Sequence, residues 1–232
     1  VFYIGKESDQ CECLQKEINS MKLSVDYMTG DLTDERIVDT LVSSCVKKYG
    51  RIDGLFNVAG VSGRKFGDGP LHACTLEGWE ETLRINLTTQ FQMCKYVLNE
   101  MLLQEPDGKG RRGVILNMSS VLAFSPEANN FSAIAYAAGK GAIISMTKAA
   151  AAFYAKDNIR INAIAPGLAL TKMSERASEN EAIVSFMKTK QPLAGAVMDV
   201  MDVAKAATFL LSEAACMVTG ETLVVDAGWS IS

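Results

Sequence analysis

Short, uniformly apolar runs alternate along this chain with longer segments of helical period, and that alternation leaves few folds open to it. The runs are Val1–Ile4, Leu23–Met28, Ile52–Val58, Gly113–Met118, Ile159–Ala165 and Thr222–Val225, most of them rich in Val, Ile or Leu. Strands buried on both faces read this way, whereas a strand with one wet face alternates apolar and polar residues. Helices are expected at about 8–20, 34–49, 75–103, 136–155, 174–189 and 200–212. In the second of these, Ile37, Leu41, Val42 and Cys45 line one stripe opposite Asp34, Glu35, Asp39 and Lys47. Regular alternation of strand and helix implies βαβ units, hence an α/β fold with a doubly wound parallel sheet covered on both faces. No internal repeat or low-complexity linker interrupts the 232 residues, so a single domain over 1–232 is expected.

Composition narrows the function classes. With 48% hydrophobic and 22% charged residues the chain has ample material for a core, and disorder is excluded. The net charge is −4, and adjacent basic residues occur only as Lys47-Lys48, Arg64-Lys65 and Arg111-Arg112. That is no basic stripe, so nucleic acid is not the expected partner. No apolar run approaches the ~18 residues of a membrane span, and Val1–Ile4 lacks the basic flank of a signal peptide. The composition therefore points to a soluble, cytoplasmic protein without a membrane partner. Six cysteines without a CxxC pair and the lone His72 make a metal site unexpected.

The chemistry concentrates at the ends of the predicted strands. Tyr136 and Lys140 are four apart on a predicted helix and share a face. An ammonium beside a phenol favours the phenolate, so the Tyr136 pKa is expected to fall from ~10 towards neutrality, as a general acid or base at a carbonyl requires. Strand 113–118 runs into Asn117-Met118-Ser119-Ser120, and strand 52–58 ends in Asn57-Val58-Ala59-Gly60. Strand 23–28 leads to Gly30-Asp31-Leu32-Thr33, and strand 159–165 to Pro166-Gly167-Leu168-Ala169-Leu170-Thr171. All of these fall at carboxyl ends of strands, the edge where open α/β sheets bind ligands.

Taken in order, Asp31-Leu-Thr, Asn57-Val-Ala-Gly, Asn86 within Arg84-Ile-Asn-Leu, Asn117-Met-Ser-Ser, Tyr136-xxx-Lys140, Pro166-Gly-xxx-Thr171 and Thr219-Gly-Glu-Thr-Leu-Val-Val-Asp226-Ala-Gly resemble the short-chain dehydrogenase/reductase family. The carboxyl-terminal part is most similar to its 3-oxoacyl-carrier-protein reductase and generic alcohol dehydrogenase branches. The resemblance implies a Rossmann-type domain and NAD(P)-dependent interconversion of a ketone and a secondary alcohol. It implies Tyr136 as proton donor or acceptor and Lys140 as the group that lowers its pKa and holds the nicotinamide ribose. Ser120 would hydrogen-bond the substrate oxygen, and Asn86 would hold a water in a proton relay with the lysine. Asp31 and Leu32 would cradle adenine, Asn57, Ala59 and Gly60 would line the cofactor trough, and Pro166, Gly167, Leu168 and Thr171 would meet the carboxamide. Residues 172–200 would form a substrate lid, and the family implies a homotetramer or homodimer packed through helices 75–103 and 136–155. The alternative is a non-catalytic nucleotide-binding or sensor protein on the same scaffold, against which intact Ser120, Tyr136 and Lys140 argue.

Three departures qualify the resemblance. The family's glycine-rich phosphate loop does not occur, and Val1–Ile4 resembles the family's second strand, so a βα unit of about 30 residues is expected to precede Val1 in a longer polypeptide. The step from Ser120 to Tyr136 is 16 positions, longer than the family's usual spacing, which enlarges the loop beside the substrate around Glu127 to Phe131. Gly5-Lys6 stands where an NAD enzyme of this family carries Asp. The missing carboxylate and the charge of Lys6 favour NADP, with NAD the alternative.

Overall fold

The computed structural model describes residues 1–21 and 25–232, and its six strands follow the expected order. β1 (Phe2–Gly5) pairs in parallel with β2 (Asp26–Thr29), Phe2 opposite Asp26 and Gly5 opposite Thr29. β3 (Gly54–Asn57), β4 (Gly113–Met118), β5 (Ile159–Pro166) and β6 (Thr222–Val225) form a second parallel sheet in that order. Leu23 and Ser24, expected in the second strand, lie outside the described residues.

The parallel α/β architecture is as expected, but the one sheet anticipated is two. No ladder joins β1 to β3 among the described residues, so what unites the sheets is a shared core rather than backbone pairing. Phe2, Ile4 and Met28 of the smaller sheet pack on the same cluster as Ile115 and Ile161 of the larger one. That cluster includes Val38, Leu41 and Val42 of α2 (Glu35–Tyr49), Met93 and Met101 of α4 (Thr89–Leu103) and Ala151 of α5 (Ile134–Tyr154). On the opposite face α8 (Val200–Leu211) lays Val203, Ala207 and Leu210 against Leu116 and Ile164. α1 (Ser8–Ser20) packs on β1 and β2 and buries Cys11.

Local chemistry sets the helix boundaries. The Asp34 side chain accepts from the Arg36 amide and starts α2, and Gly50 closes it with a left-handed φ of 78°. The helix expected at 75–103 is interrupted: α3 (Leu76–Leu83) passes through a π-turn at Arg84–Thr88 into α4. The helix expected at 174–189 is three pieces, a 3-10 turn at Lys172–Ser174, α6 (Glu175–Ser178) and α7 (Glu181–Lys190). The break falls at Asn180, whose extended backbone and side-chain bond to the Ile183 amide start a new helix.

Candidate active site

β4 delivers its last residues to two different tasks. The Asn117 Oδ1 accepts from Asn57 Nδ2 at 2.9 Å and from Cys94 Sγ at 3.3 Å, while its Nδ2 donates to Thr147 Oγ1 at 3.0 Å. All four residues are buried, and burial pushes the Cys94 thiol up to about 12, so it stays protonated. This network ties β3, β4, α4 and α5 together. It places the Asn57 side chain inside the fold, whereas Ala59 and Gly60, expected beside it in a cofactor trough, lie on the open loop that follows.

Ser119 and Ser120 then diverge. Ser119 donates to the Lys140 carbonyl at 2.8 Å and is spent on the scaffold. Ser120 accepts from the Leu122 amide at 3.2 Å, sits beside the Tyr136 phenol, and lines a cavity of about 420 Å³ with it. Tyr136 is aimed by a residue sequence reasoning passed over: both oxygens of buried Asp68 accept from the first amides of α5, Ala135 N at 3.0 Å and Tyr136 N at 2.9 Å. A carboxylate there also complements the positive end of the helix.

Lys140 is buried, 2% exposed, and has no carboxylate within 4 Å among the described residues. Its Nζ donates to the Met118 carbonyl at 2.8 Å and stands 5.5 Å from the centre of the Tyr136 ring, over its face. Burial pushes the ammonium down to about 7. For the same reason the Tyr136 phenol is raised above its ordinary value, a hydrogen bond with Ser120 offsetting part of the rise. The pKa lowering expected from the Tyr136–Lys140 spacing is therefore not found: burial raises the phenol, and the ammonium points at the Met118 carbonyl rather than at the phenol oxygen.

Asn86, in the π-turn, clamps the loop after β3. Its Oδ1 accepts from Val61 N at 3.0 Å and its Nδ2 donates to Val61 O at 3.0 Å and Thr82 O at 2.9 Å. A Cβ on Gly60 would stand 2.7 Å from Asn86 Oδ1 and 3.7 Å from Lys140 Nζ, so only glycine lets the loop run this close. Further along the same edge, Pro166, Gly167, Leu168 and Thr171 all line the cavity. Buried Gln191, which sequence reasoning also missed, fixes them by accepting from Leu168 N at 2.5 Å and donating to Leu168 O at 3.0 Å. At the smaller sheet, Lys6 donates to Asp31 Oδ2 at 2.6 Å, and with two bonds from Thr33 this holds the Asp31 carboxyl down at about 2. Leu32, expected under adenine, packs partly against the core. His72 is exposed, and no cluster of metal-ligating side chains occurs among the described residues.

The residues suit a nicotinamide cofactor. An ammonium has three N–H donors, and Lys140 has one protein acceptor, at Met118 O; the remainder are available to ribose hydroxyls. The comparisons agree. The family model described as enoyl-(acyl carrier protein) reductase matches residues 1–230. Over 205 residues the chain is 32% identical to 2,5-dichloro-2,5-cyclohexadiene-1,4-diol dehydrogenase of Sphingobium indicum, covering 88% of this chain and 77% of that enzyme. It is 34% identical over 227 residues to 3-oxoacyl-(acyl-carrier-protein) reductase of Thermotoga maritima, covering 97% of this chain and 84% of that one. The solved gluconate 5-dehydrogenase of Burkholderia cenocepacia, in complex with NADP and tartrate, superposes with a TM-score of 0.85 at 27% identity, covering 100% of this chain and 85% of that chain. The chain belongs to the short-chain dehydrogenase/reductase family. It is an oxidoreductase acting on CH–OH groups with a nicotinamide cofactor.

Proposed function

We propose that this protein interconverts a ketone and a secondary alcohol, with Tyr136 exchanging the proton at the substrate oxygen and Ser120 hydrogen-bonding that oxygen as charge develops on it. The observation that carries the reading is the meeting of Ser120 and Tyr136 on one wall of a cavity, with a buried, carboxylate-free Lys140 behind the phenol. The cofactor, when bound, supplies or takes the hydride. Lys140 would hold the ribose hydroxyls through its spare donors, and acceptors there would favour its charged form, which in turn favours the Tyr136 phenolate. Asp68 and Asn86 are positioning residues, the one setting the start of α5 and the other the loop beside Lys140. Residues 172–200 cover the cavity as a lid.

NADP is the favoured cofactor, with NAD the alternative. Lys6 stands at the end of β1 in an exposed pair with Asp31, and a dianionic phosphate competes well for a lysine paired in water. NADP stands beside the related gluconate 5-dehydrogenase as well. The diol, 3-oxoacyl and gluconate substrates named for relatives all carry the CH–OH or ketone this chemistry needs. No described helix is long and apolar enough to cross a membrane, and we assign a cytoplasmic location. We assign α4 and α5, whose Phe91 and Phe153 are 51% and 63% exposed, as the packing surface of a homodimer or homotetramer, which light scattering will test.

The test is turnover of a panel of linear and cyclic ketones with NADPH and with NADH. Tyr136→Phe is expected to lower kcat/KM about 10³-fold while NADPH affinity stays within about twofold. A variant that turns over like the parent overturns the assignment of Tyr136. A parent that binds NADPH and reduces no ketone supports a non-catalytic sensor instead.

A further inference from the structure

One wall of the cavity carries two arginines far apart in sequence. Arg64 stands in the 3-10 turn Arg64–Phe66 that follows β3, and Arg176 on α6; both line the same cavity as Ser120 and Tyr136. Both donate through a terminal guanidinium nitrogen to one acceptor, the Asn130 carbonyl, at 2.9 Å and 3.1 Å. A neutral carbonyl can hold two like charges side by side but cannot neutralise them. Burial, and after it the charge of Arg176, push Arg64 below its ordinary value.

Neither guanidinium has a carboxylate within 4 Å among the described residues. Two carboxylates close to the pair in the fold are already committed. Asp68, whose charge acts the other way on Arg64, caps α5 with both oxygens. Glu127 accepts from Asn129 N at 2.9 Å and from Asn130 N at 2.7 Å, which fixes the carbonyl that gathers the arginines. Each guanidinium has five N–H donors and spends one on Asn130, so a fork of donors remains on each. The rest of the lining is mostly apolar, with Leu122, Phe131, Ala177 and Trp229 among it beside a few hydroxyls such as Ser62 and Ser174.

We infer that Arg64 and Arg176 form an oxyanion subsite, and that the substrate is an alcohol or ketone carrying a carboxylate or phosphate across an apolar spacer from the reacting carbon. The inference rests on the reading of this cavity as the substrate's end of the active site. Guanidinium forks match the paired oxygens of a carboxylate or a phosphate, which lysines would not reproduce, and the mostly apolar lining suits an apolar spacer.

The test reads binding, so that it stands apart from turnover. Hexanoate, hexyl phosphate and hexanamide are titrated into the full chain, followed by calorimetry and by the fluorescence of Trp229, with Trp79→Phe removing the other tryptophan. At least one anion is expected to bind about tenfold or more tightly than hexanamide, and the better of the two tells carboxylate from phosphate. Arg64→Gln and Arg176→Gln keep a donor for Asn130 and remove a charge. Each should bring the anion about tenfold closer to hexanamide and leave hexanamide unchanged. Equal binding of all three probes, no binding of any, or variants that weaken hexanamide as much as the anion overturn the inference. Selective anion binding in a protein that reduces no ketone leaves the subsite standing and sinks the catalytic reading alone.

Discussion

Along β4 and β5, Ile115, Leu116, Ile161, Ala163 and Ile164 are withdrawn from solvent almost entirely, whereas every residue of β1 and β2 keeps part of its surface. The functional groups follow the same division. At the larger sheet, Asn117, Ser119 and Lys140 are 1–2% exposed and each has a fixed partner. At the smaller one, Lys6 and Asp31 meet with side chains 74% and 39% exposed. Burial multiplies the consequence of each polar contact, because a group cut off from water depends wholly on its protein partner. Substitutions at the end proposed for the chemistry should therefore have large effects, and those at the end proposed for the far part of the cofactor small ones.

The largest effect that would break this contrast concerns Lys140. Its folded value lies near 7 against an ordinary 10.5, so between those limits the native state binds fewer protons than the unfolded chain. The lysine's destabilisation is thus full below about pH 7 and is relieved as the pH rises towards about 10.5. Lys140→Met should stabilise the cofactor-free protein on the order of 3 kcal/mol at pH 7, with a smaller gain at pH 10, while abolishing most turnover. Urea melts at the two pH values decide it; a gain independent of pH would show that desolvation of the charge is not the cause.

Next in size is Asn117→Ala, which strips partners from Asn57, Cys94 and Thr147 at once. A loss of roughly 2–3 kcal/mol is expected, visible as a lower urea midpoint with an unchanged m-value. A loss near zero would mean that the buried network is slack. The smallest effect belongs to the other sheet. Lys6→Ala should cost under about 1 kcal/mol, fading further in high salt, yet shift the NADPH over NADH preference towards NADH. Asp31 bears on the same pair from the acid side, since its contribution is present above about pH 4 and is lost as the pH falls through its folded value of about 2. A stability loss from Lys6→Ala as large as that from Asn117→Ala would erase the distinction between the two regions.

Much of this was legible from residue order. Uniformly apolar runs mark the strands because strands covered on both faces tolerate little else; Tyr136 and Lys140 stand out by their four-residue step, and Ser120 by its place after a predicted strand and by the family resemblance. What stayed hidden depends on contacts between distant segments. A pull of Lys140 on Tyr136 could be guessed from a four-residue step, but not that burial would raise the phenol while the ammonium turns to the Met118 carbonyl. Arg64 and Arg176 share no motif and meet only through the Asn130 carbonyl. Asp68 sits in Gly67-Asp68-Gly69, which reads as a turn, and nothing local says that it caps a helix beginning at Ile134. Asn180 followed by Glu181 is a readable helix start, and the single helix expected over 174–189 runs through it.

The π-turn at Arg84–Thr88 has a consequence for chain length. Before it, α3 presses Gly78 against the backbone of Gly67 and Asp68; after it, α4 turns Met93, Cys94, Val97 and Met101 to the core. The extra residue sets the phase between these two faces. Deleting one residue there would restore a regular helix and rotate α4 by about 100° relative to α3, so one of the two faces would have to abandon its partner. The π-turn thus locks the number of residues in this stretch, while the amide bonds of Asn86 to Val61 and Thr82 fix one of their identities.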